Sequence, residues 1–245
     1  MASLAQPLLF LIVFGSGLSS ALGGGSAFGK GLSYIQFMYP GIIGMAILFT
    51  AIFGAMSIVW DREFGFLKEV LVAPIDRSAV AIGKALGGTT QAMIQGMILL
   101  VLAPFVGVKL SVLTVLTMIP LAAVLAFGLS SFGVALASSM KSMQGFQVVM
   151  NFLMMPMFFL SGALFPLNGL PGWMTWLTRL DPASYGIDPL RRVVLSNSGL
   201  PDAVIDRFAL TIGGHVLAIP LEAGIMLTFG ATMLGVAVYM FQRRD

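Results

Sequence analysis

The 245-residue chain has no cysteine and a single histidine, and only 9% of its residues are charged. Without cysteine there is neither a disulfide framework nor a thiolate metal site. One imidazole, His215, excludes a paired-histidine zinc centre and a helical HExxH motif. Thirteen Lys and Arg against ten Asp and Glu leave a net charge of +3, too small and too dispersed for a nucleic-acid partner. What fills the chain instead is apolar: 58% of residues are hydrophobic and the mean hydropathy is +0.98. A soluble domain usually carries about a quarter charged residues. This composition excludes disorder, collagen and a water-soluble globule, and it fits a polytopic membrane protein. The pI near 9.5 then reflects Lys and Arg at the cytoplasmic ends of spans.

Catalytic patterns are missing too. Ser161-Gly162 has no Gly-x before it, and no serine stands near a candidate base. Gly83-Lys84 is followed by Ala85, with no glycine five residues earlier and no hydroxyl for magnesium, so there is no Walker A motif. His215 reads as an interfacial residue at the outer mouth of the last span. Glu222, the one acid near a span interior, reads as a headgroup-level residue, which leaves a proton- or sodium-coupled carrier poorly supported. The sequence predicts no enzyme and no cofactor on this chain.

Charges cost roughly 3 kcal/mol at the bilayer centre, so uncharged runs locate the spans. The runs are Met1–Gly29, Gly31–Trp60, Ala85–Val108, Leu110–Met140, Ser142–Thr178 and Ala223–Gln242. Each can hold one helix of about 20 residues. The expected fold is therefore all-α, a single transmembrane domain over 1–245, with six spans at about 4–22, 36–59, 86–107, 112–137, 146–164 and 221–241. The stretch 1–21 has the length of a signal peptide but no basic n-region, and is read as a retained span. Six spans place both termini on one side, and Arg243-Arg244 argues that this side is the cytoplasm. Seven basic residues (62, 68, 77, 84, 141, 243, 244) then lie inside and six outside, so the orientation rests on the short loops and the C-terminus.

Two extramembrane segments carry a pattern. In 61–84, Phe64, Leu67 and Leu71 form one apolar helix stripe, Pro74 ends that helix, and Asp76 or Ser78 can cap the next. An amphipathic helix along the inner surface follows, either a plain link between spans or a docking helix for a cytoplasmic partner. In 165–195, Trp173, Trp176, Leu177 and Leu180 share a helical face, and the pairs Asp181-Pro182 and Asp188-Pro189 each suit a helix start. Two or three short helices dipping back from the outer surface are expected, anchored by tryptophan, with Asp188 paired to Arg191 or Arg192. Within the spans, Gln144, Gln147 and Asn151 make a polar stripe that continues toward Met154, Met155 and Phe158. It suits either a path for an amphipathic substrate or hydrogen bonding to neighbouring helices. Gly83, Gly87, Gln91 and Gln95 recur at i+4 on span three, a spacing for close helix packing.

At the two patterned segments the chain resembles the type-2 ABC exporter permeases of the drug, polysaccharide and lipid export class, which include the daunorubicin-resistance and nodulation-factor permeases. The residues that carry the resemblance inside are Arg62-Glu63-x-Gly65-x-x-x-Glu69, Pro74, Arg77 and Gly83-Lys84. Outside they are Phe165-Pro166-Leu167, Leu170-Pro171, Trp173, Asp181-Pro182, Tyr185, Asp188 and Arg191. The resemblance spans essentially the whole chain and is unspecific for substrate. Members of the class usually begin with a cytoplasmic amphipathic helix, whereas Met1 here stands almost at the membrane; a shortened start, a truncated product and a family variant all remain open.

The resemblance implies a plasma- or inner-membrane exporter subunit, homo- or heterodimeric, above two ATPase subunits that bind ATP and magnesium. Arg62, Glu63, Gly65, Lys68, Glu69, Pro74 and Arg77 would then couple to the ATPase. Pro166, Pro171, Trp173, Trp176, Asp181, Pro182, Tyr185, Asp188 and Arg191 would form an outer gate. Gln147, Asn151, Met154, Met155 and Phe158 stand as the candidate path for an amphipathic substrate, and membrane lipids are the remaining partner. A secondary carrier or channel working without an ATPase is the alternative, and a non-transporting scaffold is the third reading.

Overall fold

The computed structural model describes residues 2–21, 34–65, 76–108, 110–197, 200–212 and 214–243. The order is α1 (Ala2–Ala21), α2 (Tyr34–Gly54), α3 (Met56–Glu63), α4 (Arg77–Leu102), a 3-10 turn (Ala103–Val106), α5 (Val112–Ser139), α6 (Met143–Leu160), α7 (Gly172–Leu180), α8 (Ser184–Ser196), α9 (Asp202–Ile205), a two-stranded antiparallel hairpin of β1 (Thr211–Ile212) and β2 (His215–Val216), and α10 (Ile219–Arg243). Among the described residues, five helical stretches are long and apolar enough to cross a membrane: Tyr34–Glu63, Arg77–Val106, Val112–Ser139, Met143–Leu160 and Ile219–Arg243. In α1 the apolar stretch Ala5–Gly15 is shorter. The chain is thus an α-helical, multi-pass membrane protein.

α2 is the central helix, with 15 of its 21 residues buried. It packs against α1, α4, α5, α6 and α8. A helix apolar on all sides suits that position. Around it the bundle is closed by small residues, which let backbones approach where lipid supplies no hydrophobic drive between helices. At the α5–α10 contact, a Cβ built on Gly230 would lie 2.8 Å from the Cα of Gly128. The stretch from α2 to α3 is interrupted by one turn at Ala55 and ends at Gly65, whose φ of +81° stops the helix. α6 stops at Ser161-Gly162, where φ is +77°.

The bundle has two unlike ends. One gathers α3, the start of α4, the α5–α6 turn and the end of α10. The other gathers the start of α2, the short helices α7 to α9, the hairpin and the start of α10. The helix expected over 61–73 falls largely on 66–75, outside the described residues, as do its Leu67 and Leu71. The pair Asp188-Pro189 does not open a helix: Pro189 lies inside α8, and the chain enters that helix through Ala183. Asp181 supplies the turn instead, accepting hydrogen bonds from the Ala183 N–H (3.0 Å) and the Ser184 hydroxyl (3.5 Å). Gly83 and Gly87 are not packing positions either, since a Cβ on either would meet open space. Close contacts on α4 fall one residue off that stripe, at Gly88 against Ser130 and at Gly96 against Ile47.

Candidate functional site

At the Asp61 end, two consecutive residues hold a turn between spans. The Arg62 guanidinium donates to the Ser138 carbonyl in the last turn of α5 (3.1 Å) and to that of Met140, which caps the helix. The Glu63 carboxylate accepts from the Met143 N–H (2.8 Å), the first residue of α6. Helix C-termini favour a cation and N-termini an anion, because each leaves backbone groups unpaired with its dipole end exposed. The Arg-Glu dipeptide therefore matches the two helix ends in charge and in hydrogen bonding. One turn back, Lys84 of α4 pairs with Asp61 (2.7 Å) and with the Ser57 hydroxyl (3.1 Å). Arg77 donates to the Gln242 carbonyl of α10 at 3.4 Å. Gly65 follows the clamp, beside Phe64, which is 76% exposed. Lys68, Glu69 and Pro74 lie outside the described residues.

At the other end a buried ionic cluster joins α8 to α10. Arg192 reaches Asp188 (3.4 Å), Glu222 (2.9 Å) and the Leu217 carbonyl (2.8 Å). Asp188 also accepts from the Leu210 N–H at 3.0 Å. Arg191 is fully buried, donates to the Gly162 carbonyl and stacks over Phe37 of α2 at 4.7 Å from the ring centre. Glu222 is thus no headgroup residue: it is 0% exposed and ion-paired, because Arg192 comes in from α8 to meet it. The sequence offered Arg192 as an i+4 partner for Asp188, which the structure shows; what it did not reveal is the pairing of Arg192 with Glu222 across 30 residues.

The rest of this end is pinned by backbone contacts. Tyr185 donates to the Arg179 carbonyl (2.7 Å) and Arg179 to the Thr211 carbonyl (2.9 Å). Burial pushes the Asp181 carboxyl up to about 8, against the opposing pull of its Ala183 and Ser184 hydrogen bonds. Trp173, Trp176, Leu177 and Leu180 stand exposed together on α7, beyond Pro171, which is also exposed, while Pro166 and Pro182 are half-buried. His215 is exposed on the hairpin just before α10.

The stripe on α6 divides in two. Gln144, Gln147, Asn151 and Met155 lie on an exposed face, whereas Met154 and Phe158 point into the bundle. The Phe158 ring meets Phe10 of α1 (5.9 Å between centres) and Phe49 of α2 (6.3 Å). The five residues read as one path therefore do not share a surface. A continuous helical periodicity cannot reveal that split, since adjacent residues at 154 and 155 lie about 100° apart around the axis.

The sequence profile of the ABC-2 type transporter family matches residues 1–195. The chain belongs to that family. It is 31% identical to the ycf38 protein of Cyanophora paradoxa, described as a transport permease, over 206 residues that make up 82% of this chain and 69% of the relative. Nodulation protein J of Rhizobium meliloti is 26% identical over 199 residues, covering 80% of this chain and 74% of that protein. The inner membrane transport permease YadH of Escherichia coli is 29% identical over 198 residues, covering 79% and 74%. The chain thus matches between two thirds and three quarters of these relatives' lengths. As a type-2 ABC permease it is a membrane transport subunit, of a family that generally pairs with an ABC ATPase subunit.

Proposed function

We propose that the chain is the membrane-spanning subunit of an ATP-driven exporter, and that ATPase movement reaches the spans through Arg62 and Glu63. The carrying observation is the clamp: the residues just before the cytoplasmic segment 66–75 grip both helix ends at the α5–α6 turn. A rigid displacement of the segment would pull on α5 and α6 together. In this reading the Asp61 end faces the cytoplasm, α1 is a sixth span, and two copies stand over two ATPase subunits that bind ATP and magnesium. Gly65, Lys68, Glu69, Pro74 and Arg77 belong to the ATPase-facing surface. The unit α7–α8 is a re-entrant outer gate that includes Pro166, Pro171, Trp173, Trp176, Asp181, Pro182, Tyr185, Asp188 and Arg191. The substrate is an amphipathic drug, lipid or glycan.

The test compares Glu63→Ala and Arg62→Ala with the native chain for co-purification with the ATPase and for substrate-stimulated hydrolysis. Clamp loss should leave the ATPase bound but lower stimulation tenfold or more. Native stimulation in both variants at equal protein levels sinks the clamp as a coupling element. Glu69→Lys should instead weaken ATPase association, again by tenfold or more, or about 1.4 kcal/mol.

A secondary carrier is the second reading, favoured by the two fully buried acids Asp188 and Glu222. Both contact Arg192, and Arg191 also acts on Asp188, which gives the acids a structural role in joining α8 to α10. Uphill transport by the purified chain under an ion gradient, with no ATPase present, would decide for that reading.

A further inference from the structure

A cavity of about 430 Å³ opens between α1, α2, α3 and α4 in the half of the bundle next to Asp61. It lies within the size range of small-molecule sites, roughly 300–1,000 Å³. Along α2 and α3 its lining runs from Met45 to Trp60, which at about 1.5 Å per residue spans roughly 22 Å. Half a bilayer core measures about 15 Å, so the cavity extends from the interface past the midplane.

The two walls differ chemically. Met45, Phe49, Phe53, Met56 and Trp60 give an apolar side that flexible thioethers and rings can fit to an irregular body. Opposite them stand Gln91 and Gln95 of α4, one turn apart, with Gln6, Thr50 and Ser57 completing the polar side. Gln95 is 7% exposed, deep in a span where a polar side chain is costly and marks a functional position. Among the described residues, no ionisable side chain lines the cavity. The cation Lys84 touches the rim at Ser57 but is already paired with Asp61 at 2.7 Å, so a charged head would lose its hydration with no unpaired countercharge in return. An amide or hydroxyl head, by contrast, can both donate to and accept from the two glutamines. The apolar wall also adjoins the candidate path: Phe49 touches Phe158 of α6.

We propose that this cavity binds an amphiphile with a neutral amide or hydroxyl head and an apolar body, entering from the bilayer half beside Asp61. The assignment rests on the exporter reading for its direction, with the cavity as the loading site. It is separate from the exposed amide face of α6.

Trp60 provides the probe. In a full-length Trp173→Phe/Trp176→Phe chain it is the only tryptophan, and it lines the cavity. The purified chain in detergent is titrated with dibrominated stearamide, dibrominated stearate and dibrominated phosphatidylcholine, whose bromines quench indole fluorescence on contact. Saturable quenching is expected for the stearamide alone, with linear collisional quenching for the two charged amphiphiles. Gln95→Leu and Gln91→Leu should each raise the half-saturation concentration at least tenfold. Gln91 is exposed, so its variant carries the comparison if Gln95→Leu does not fold.

Saturable quenching of equal affinity by phosphatidylcholine or stearate overturns the proposal and marks a lipid groove. Linear quenching by all three, or unchanged half-saturation in both leucine variants, overturns it as well. Saturable stearamide binding together with an ATPase that the chain never stimulates would remove the exporter reading and leave the site. A stimulated ATPase with no saturable binding would do the reverse.

Discussion

At the scale of single residues, the decisive group is Arg192, the one cation among the described residues that is ion-paired with two buried carboxylates. Breaking a buried ion pair by removing one partner costs about 3–5 kcal/mol, because the remaining charge keeps its desolvation penalty without compensation. In Arg192→Ala, Asp188 and Glu222 would face each other with no cation between them. Thermal unfolding in detergent should begin on the order of 10 °C lower, taking 2–4 °C per kcal/mol for a chain of this size. Glu222→Gln should cost less, since its amide oxygen still accepts from Arg192. A native midpoint for Arg192→Ala would mean that the cluster does not tie α8 to α10.

Asp181 adds a pH effect with a fixed sign. Burial raises its carboxyl from an ordinary 3.8 to about 8, so between those values only the folded chain holds the proton. The stability it contributes is full at low pH and is lost as pH rises through about 8. Unfolding midpoints measured across that range should fall, and Asp181→Asn, which keeps the acceptor oxygen, should flatten the decline. An equal decline in Asp181→Asn assigns it to another group.

At the scale of elements, two glycines on different helices give opposite expectations. A Cβ on Gly41 of α2 would lie 2.3 Å from the Ala163 carbonyl oxygen, a backbone atom in the turn after α6. Gly41→Ala must therefore separate α2 from that turn, at about 1–3 kcal/mol as overpacking commonly costs. Gly83→Ala meets nothing and gains helix propensity of up to about 1 kcal/mol. Melting curves for the pair should move in opposite directions; similar losses in both would mean that the α4 face is covered after all.

Gly83 and Gly41 also show what the sequence could and could not reveal. Uncharged runs placed α2, α4, α5, α6 and α10, because the cost of a bilayer charge is written into composition. The tryptophan face of α7 was legible from spacing alone. Which small residues pack was not, since Gly83-Gly87 and Gly88-Gly96 both show helical spacing and only the neighbours' positions separate them. The clamp was half legible: Arg62 and Glu63 stood out, but as outward-facing contacts. Their partners are backbone groups of Ser138, Met140 and Met143, and backbone groups leave no trace in residue identity. Nor did periodicity mark the cavity by Gln95, because its walls come from helices far apart in sequence.

At the scale of the whole molecule, the exposed amides of α6 require an explanation. Gln144, Gln147 and Asn151 share that face with Val148 and Phe152, the latter 77% exposed, in a helix apolar enough to span the bilayer. Amides facing lipid have no hydrogen-bond partner, whereas across a helix interface each gains about 0.6 kcal/mol. α4 offers the contrast, since Ile94, Met97, Ile98 and Val101 expose an apolar face that lipid can cover directly. If two copies meet, the α6 faces should meet and the α4 faces should not. The absence of native cysteine makes this a clean measurement, because a disulfide between two copies of the chain can join only the introduced thiols, and its mass on the gel separates it from cross-links to other proteins. Oxidised membranes containing Asn151→Cys should yield a disulfide-linked dimer on a non-reducing gel, and Gln147→Cys a weaker one. Val101→Cys should stay monomeric. Dimer from Val101→Cys together with none from either α6 position would move the interface to α4 and leave the α6 amides to a hydrated path.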